Sequence, residues 1–196
     1  MKKIVALLLA IVMAAFCGCA KQEFVPQRGT VEEGVYKNTS FGITFAGDEN
    51  WYYFSDEDIA SSMGIAADEI YPEDFEGTAI IYDMYCTDPS TGGSVNINYE
   101  ITGEDMTVDY YLEITKLQIE NQISGTALSL AKSAPGLVTI DGEEHLCMYI
   151  TIDAGEFCVY EAVAAKKVGE WMGVITVAAL EEAEIADLFA KISFEE

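Results

Sequence analysis

The sequence predicts an α+β domain with a single antiparallel sheet sandwiched by helices. Three observations carry that expectation. Strand-like runs outnumber helical ones and are punctuated by short turns rich in Gly and Asp. Two stretches repeat apolar residues at spacings of three and four, the signature of helices that pack on one face. In the clearest strand pair both faces are apolar, so both need cover, and the helices are what the chain has to supply it.

In chain order, Val35 to Phe45 and Trp51 to Phe54 read as strands separated by the turn formers Gly47-Asp48-Glu49-Asn50. Ser55 followed by Asp56, Glu57 and Asp58 is a capping pattern that opens a short helix ending near Gly64. Residues 66–77, with Pro72 and scattered acids, read as an irregular or partly helical excursion. Thr78 to Cys86 and Ser94 to Ile101 form a second hairpin around Asp88-Pro89-Ser90-Thr91-Gly92-Gly93. A long helix follows from Thr107 to about Gln122, whose Val108, Tyr111, Leu112, Thr115 and Ile119 share a face.

The remainder reads as an antiparallel meander: Ala127 to Ala131, Leu137 to Ile140, His145 to Ile152, Phe157 to Ala165 and Trp171 to Ala179. Leu146, Met148, Ile150 and Ile152 face one way beside Val163, Val159 and Phe157, with Glu161 the exception on that face. The opposite face carries Cys147, Tyr149, Cys158, Tyr160, Ala162 and Ala164. A last helix is expected from about Glu181 to Lys191, anchored by Ile185, Leu188 and Phe189.

Ahead of this domain, Lys2 and Lys3 precede 13 uninterrupted apolar residues, Ile4 to Phe16, which is the anatomy of an export signal and too short to span a bilayer. Phe16-Cys17-Gly18-Cys19-Ala20 then resembles the lipobox of bacterial lipoproteins, in which a small residue precedes the Cys that is acylated and becomes the new N-terminus. Gly18 and Cys19 fit those two positions. The pattern prefers Leu where Phe16 stands, and plain secretory cleavage at Gly18-Cys19-Ala20 is the competing reading. The resemblance implies a diacylglycerol thioether and an amide-linked acyl chain such as palmitate, past the two-signal threshold for stable anchoring. The expected organisation is therefore a signal peptide over 1–18, a lipid-anchored tether over 19–33 and one domain over 34–196, extracytoplasmic and held on the cell membrane.

Charge narrows the partners. The full chain carries −24, and loss of Lys2 and Lys3 with the leader takes the exported part to −26, so nucleic acid is excluded as a partner by repulsion from phosphate. Cys86, Cys147 and Cys158 are an odd number, a poor basis for a disulfide framework. A two-residue turn at Ala154-Gly155 would set Cys158 opposite Thr151 and Cys147 opposite Ala162, about 13 Å apart along the ladder, too far to bridge.

Chemistry is hard to find. His145 is the one histidine, so any Ser-His or Cys-His mechanism would have to use it, and it reads as a strand-end residue after Glu143 and Glu144. No nucleophile elbow, zinc-protease, phosphate-loop or dinucleotide fingerprint occurs, and there is no Cys-x-x-Cys. Asp56, Glu57 and Asp58 lack calcium-loop spacing and are explained by capping. The expectation is thus no catalytic residue, no metal and no cofactor.

Trp51, Tyr52, Tyr53 and Phe54 are consecutive, and a strand sends Trp51 and Tyr53 to one face. Core packing explains them, and a ligand or partner surface at Trp51 and Tyr53 is the alternative weighed beside it. The leading functional expectation is a non-catalytic binding or assembly domain for an envelope protein. The alternatives are a small-molecule or glycan binder and a carboxylate-type hydrolase.

The element order, with an aromatic at the end of an early strand (Trp51), a closing meander and a helix, resembles the PsbP-type fold, as does the phrase Gly34-Val35-Tyr36-Lys37-Asn38. The likeness spans about residues 34–196. It implies a single α/β/α domain and, because such families act mainly as docking or assembly subunits, a non-enzymatic role.

Overall fold

The computed structural model describes residues 24–63, 66–72, 80–124, 126 and 128–195; the expected signal peptide, Gly18 and Cys19 lie outside them. The large sheet has seven antiparallel strands in the order β4-β5-β6-β10-β9-β8-β7. They are β4 (Tyr52–Tyr53), β5 (Ile80–Thr87), β6 (Ser94–Ile101), β7 (Ser129–Ile140), β8 (Glu143–Asp153), β9 (Cys158–Val168) and β10 (Trp171–Ala179). A second sheet of four short strands runs β1-β2-β3-β11, from Thr30–Glu32, Val35–Asn38, Ile43–Ala46 and Ile192–Phe194. Three α-helices complete the described chain: α1 (Asp56–Met63), α2 (Val108–Ile123) and α3 (Glu184–Phe189).

The expected single sheet is corrected to two. Strands of three or four residues give too short an alternation to announce a separate sheet, and β11 pairs with β3 only after the last helix has turned the chain back. The small sheet and α3 cover one face of the large sheet, where Tyr36, Phe41, Ile43 and Phe45 join Ile97, Tyr99, Ile175 and Phe189 in the main core. On the other face Tyr111 and Leu112 of α2 sit over Met148, Ile150, Val163 and Val174. Phe54, Tyr82 and Tyr85 receive Ile59 and Ala60 of α1 and Ile70, which follows a 3-10 turn at Ala67–Glu69. Both faces are therefore covered, as apolar residues on both require, but one cover is mostly a sheet.

Local chemistry matches the elements. Ser55 Oγ accepts from the Asp58 N–H (3.2 Å) and the Ser55 N–H donates to Asp58 Oδ2 (3.3 Å), a reciprocal box that starts α1. The face of α2 read from spacing is the face it buries. The last helix is shorter than expected, Glu184–Phe189, yet Ile185, Leu188 and Phe189 are its buried contacts.

Two strand details differ from the sequence reading. β7 is one 12-residue strand that runs through Pro135 and Gly136. It lies at the sheet edge, where a missing N–H need not cost a ladder bond. The β8–β9 connection is longer than two residues, with the Ala154 N–H donating to Phe157 O (3.0 Å), so Cys147 faces Ala164 and Cys158 faces Asp153. The two-residue shift from the expected register preserves the faces, because side chains alternate with period two. It moves the thiols further apart: Cys86 and Cys147 are buried, Cys158 is half-buried, and all three are free.

Candidate functional site

β5 breaks register between Tyr82 and Met84, and the extra residue is Asp83. A bulge re-aims a side chain, and here it turns a carboxylate into the space between the two sheets, where Asp83 is 6% exposed. Four groups donate to it. Tyr36 from β2 and Tyr99 from β6 give their hydroxyls to Oδ2, and Asn38 Nδ2 adds a bond at 3.1 Å. The Gly29 N–H bridges both oxygens at 3.0 and 3.1 Å. Burial pushes the Asp83 carboxyl above its ordinary value, and the donors from Tyr36, Tyr99, Gly29 and Asn38 pull it partly back. The same burial raises Tyr36 and Tyr99 well above a free phenol.

The Gly29 bond ties this centre to the N-terminal segment. Ahead of it, Asn38 Nδ2 donates to Gln27 O (2.6 Å), Tyr71 OH donates to Pro26 O (3.2 Å), and the Phe24 ring meets Phe41 edge-on with centroids 5.3 Å apart. Arg28 forks onto both oxygens of Asp56 and lies 5.2 Å from the centre of the Tyr71 ring. Only glycine fits at 29, since a Cβ there would stand 2.3 Å from Tyr36 Cε2. Residues 24–29, read from sequence as the second part of a tether, are thus fastened along the domain. Pro26, Gln27, Arg28 and Gly29 look like linker chemistry, and nothing local signals the pairing with Asp83, 54 residues away.

Two further carboxylates are pushed up by burial, Glu100 and Glu161. Glu100 receives Asn98 Nδ2 at 3.2 Å, while desolvation alone acts on Glu161. Both stand on the face covered by α2, opposite to Asp83. Glu100 faces Met172 and Glu161 faces Ala178 on the intervening strand β10, six positions apart and thus separated by about 20 Å. Paired-carboxylate glycoside hydrolysis uses separations of about 5 to 10 Å, so these acids do not make such a pair.

The singled-out aromatics lie elsewhere. Trp51 is 8% exposed and meets the Phe45 ring edge-on at 4.9 Å, inside the core. Tyr53 is half-buried with its hydroxyl donating to Gly34 O (2.7 Å), and burial raises it. Tyr52, 50% exposed, is what that run leaves at the surface. His145 meets Phe194 edge-on at 4.9 Å, two residues inside β8, which begins earlier than expected at Glu143. Among the described residues no group of three or more His, Cys, Asp or Glu is placed to hold a metal ion, and no helix is long and apolar enough to cross a membrane.

Concavity and exposed apolar surface meet at the edge strand β7. A cleft of about 450 Å³ opens between β7 and α3, lined by β7 from Leu137 to Thr139, by Asp141 and Gly142 of the turn that follows, and by Tyr149, Phe189 and Ile192. On the other face of the same edge Leu137 and Leu146 stand opposite each other, 48% and 46% exposed. The first half of β7 carries the devices that blunt an edge, a bulge between Leu130 and Lys132, the Lys132 charge and Pro135. The half from Gly136 to Ile140 carries none of them, and it is this half that lies beside the cleft.

No family model matches the chain, and no curated protein matches it. Among solved structures it is similar to the cyanobacterial PsbP protein (CyanoP) of Synechocystis sp. PCC 6803, at 10% identity and a TM-score of 0.51. That similarity covers 87% of this chain and 98% of the other. The PsbP-like fold is thereby shown.

Proposed function

We propose that this protein is a lipid-anchored extracytoplasmic domain that docks an envelope protein without catalysing a reaction. One observation carries the reading: the unblunted half of edge strand β7 has an apolar cleft on one face and the Leu137–Leu146 pair on the other. An extended partner segment that adds to this edge sends alternate side chains to those two surfaces, and the backbone ladder supplies affinity independent of sequence. The lipobox-like Gly18-Cys19 supports the anchor.

Leu137→Asp places a charge on the proposed contact while leaving an already exposed position exposed. Affinity capture of the wild type from native membrane, with Leu137→Asp in parallel, is the test. The expected result is a stoichiometric envelope protein whose recovery falls at least about tenfold in the variant, the effect of roughly 1.4 kcal/mol at an interface. Equal recovery by both proteins refutes this edge as the contact.

A further inference from the structure

The fastened N-terminal segment begins at a defined place on the domain. Phe24 packs on Phe41, and its Cβ lies 3.8 Å from where a Cβ on Gly169 would stand, so the first described residue sits beside the β9–β10 turn. From Cys19 to Phe24 is five residue steps, at most about 18 Å of chain. Were the segment free as far as Glu33, the same anchor would have about 50 Å of reach and could present any side of the domain to the bilayer. The bonds to Asp83, Asn38, Tyr71 and Asp56 convert a long leash into a short strap.

The end of the domain where the strap departs is built from the β2–β3 turn, the β9–β10 turn and the loop after β6, which are held together directly. The Thr102 N–H donates to Glu170 O (2.9 Å), the Glu195 N–H donates to Gly42 O (2.8 Å), and Lys166 Nζ donates to Glu195 O (3.2 Å). Exposed Val25 and Ile101 supply apolar contact. Lys37, Lys166 and Lys167 stand here beside Glu104, Asp105, Glu170 and Glu195, and the β7–β8 turn at the same end adds Asp141, Glu143 and Glu144, so contact at this end is set by the strap and not by charge. The β8–β9 turn and the β5–β6 turn lie at the other end of the sheet, the length of β9 away, about 33 Å.

We infer that the lipid bilayer is the partner of this end: the strap clamped by Asp83 holds Val25, Ile101 and the turns at 39–42 and 169–170 against the membrane surface. The opposite turns then face away from the membrane. The inference rests on lipidation of Cys19. Intact mass measurement of the membrane-extracted protein checks that first, and an unacylated N-terminus overturns the anchor and this orientation together.

With acylation in hand, the test is NMR line broadening of the full lipidated protein in phospholipid nanodiscs doped with a gadolinium-chelating lipid. Amides of Ser40, Gly42, Gly103 and Gly169 are expected to broaden about tenfold more than those of Gly92, Gly155 and Phe157, given the ~33 Å that separate the two ends. A 15-residue Gly/Ser insertion between Ala20 and Lys21 leaves the fold and the lipid in place and lengthens the leash. It should abolish the difference. Equal broadening at both ends in the uninserted protein, or a difference that survives the insertion, overturns the inference while leaving the anchor and the β7 docking edge untouched.

Discussion

Removing the Asp83 carboxylate tests how the N-terminal segment is fastened. Asp83→Ala removes the acceptor of four hydrogen bonds, from Tyr36 OH, Tyr99 OH, Asn38 Nδ2 and the Gly29 N–H, while the two hydroxyls keep each other at 2.9 Å and Asn38 keeps Gln27 O. A buried hydrogen bond contributes about 1 kcal/mol net, more to a charged acceptor, so four of them sum to roughly 4 to 6 kcal/mol. Release of a charge whose burial is itself unfavourable offsets part of this, and the expected loss is about 3 to 4 kcal/mol. That is a large share of the 5 to 15 kcal/mol typical of a domain.

Urea unfolding of the mature protein reads the loss as a shift in midpoint at unchanged slope. Hydrogen exchange localises it: the Gly29 amide should exchange far faster, while β6 and β10 amides follow global stability. Tyr99→Phe, which removes one donor and keeps the ring stacked on Phe41, should cost only about 1 kcal/mol. It keeps the test meaningful if the alanine variant fails to fold. A loss below about 1 kcal/mol for Asp83→Ala, with Gly29 still protected, refutes the reasoning.

Gly173→Ala should cost about 1 to 3 kcal/mol by overpacking, since its Cβ would meet Phe41 Cδ1 at 2.6 Å; thermal unfolding reads it directly. Glu161→Gln should stabilise the protein at neutral pH. Burial raises the folded-state pKa of Glu161, so its favourable contribution is complete below the unfolded value near 4.3 and is lost as pH rises through the folded value. The gain from Gln should therefore vanish at about pH 4 in parallel urea titrations. Arg28→Ala should cost less than about 1 kcal/mol, and less still in high salt, because the Asp56 pair is substantially exposed. Of the described thiols Cys158 should alkylate first in the native protein; burial pushes Cys147 up to about 11 and Cys86 higher, and mass spectrometry of the modified peptides checks the order.

The long periodic elements were legible in the sequence because their signals repeat. The buried face of α2, the β5–β6 and β8–β9 pairs and the capping of α1 all follow from spacing over eight or more residues or from a local box. The second sheet was not legible, because Tyr36, Ile43 and Phe45 alternate over too few residues and their partner β11 lies some 150 residues on. Glu161 was visible as a break in an apolar face, and burial gives that break a cost. Asp83 left a fainter trace, an acid between Tyr82 and Met84 in an otherwise apolar strand. Its meaning required the bulge that aims it inward and the distant donors that meet it. Trp51 was conspicuous by type, yet exposure depends on tertiary cover, and the small sheet supplies that cover through Phe45.

The central claim is that the second half of β7 is a protein-docking edge. A photoreactive side chain placed in turn at Leu137, Leu146 and Glu156 of the lipidated protein, activated in native membranes, tests it most directly, with the Cys19→Ser form as control. The account predicts one stoichiometric adduct to the same envelope protein from positions 137 and 146, none from 156, and loss of the adduct in the control. Adducts of equal yield from all three positions, or from 156 alone, would contradict it.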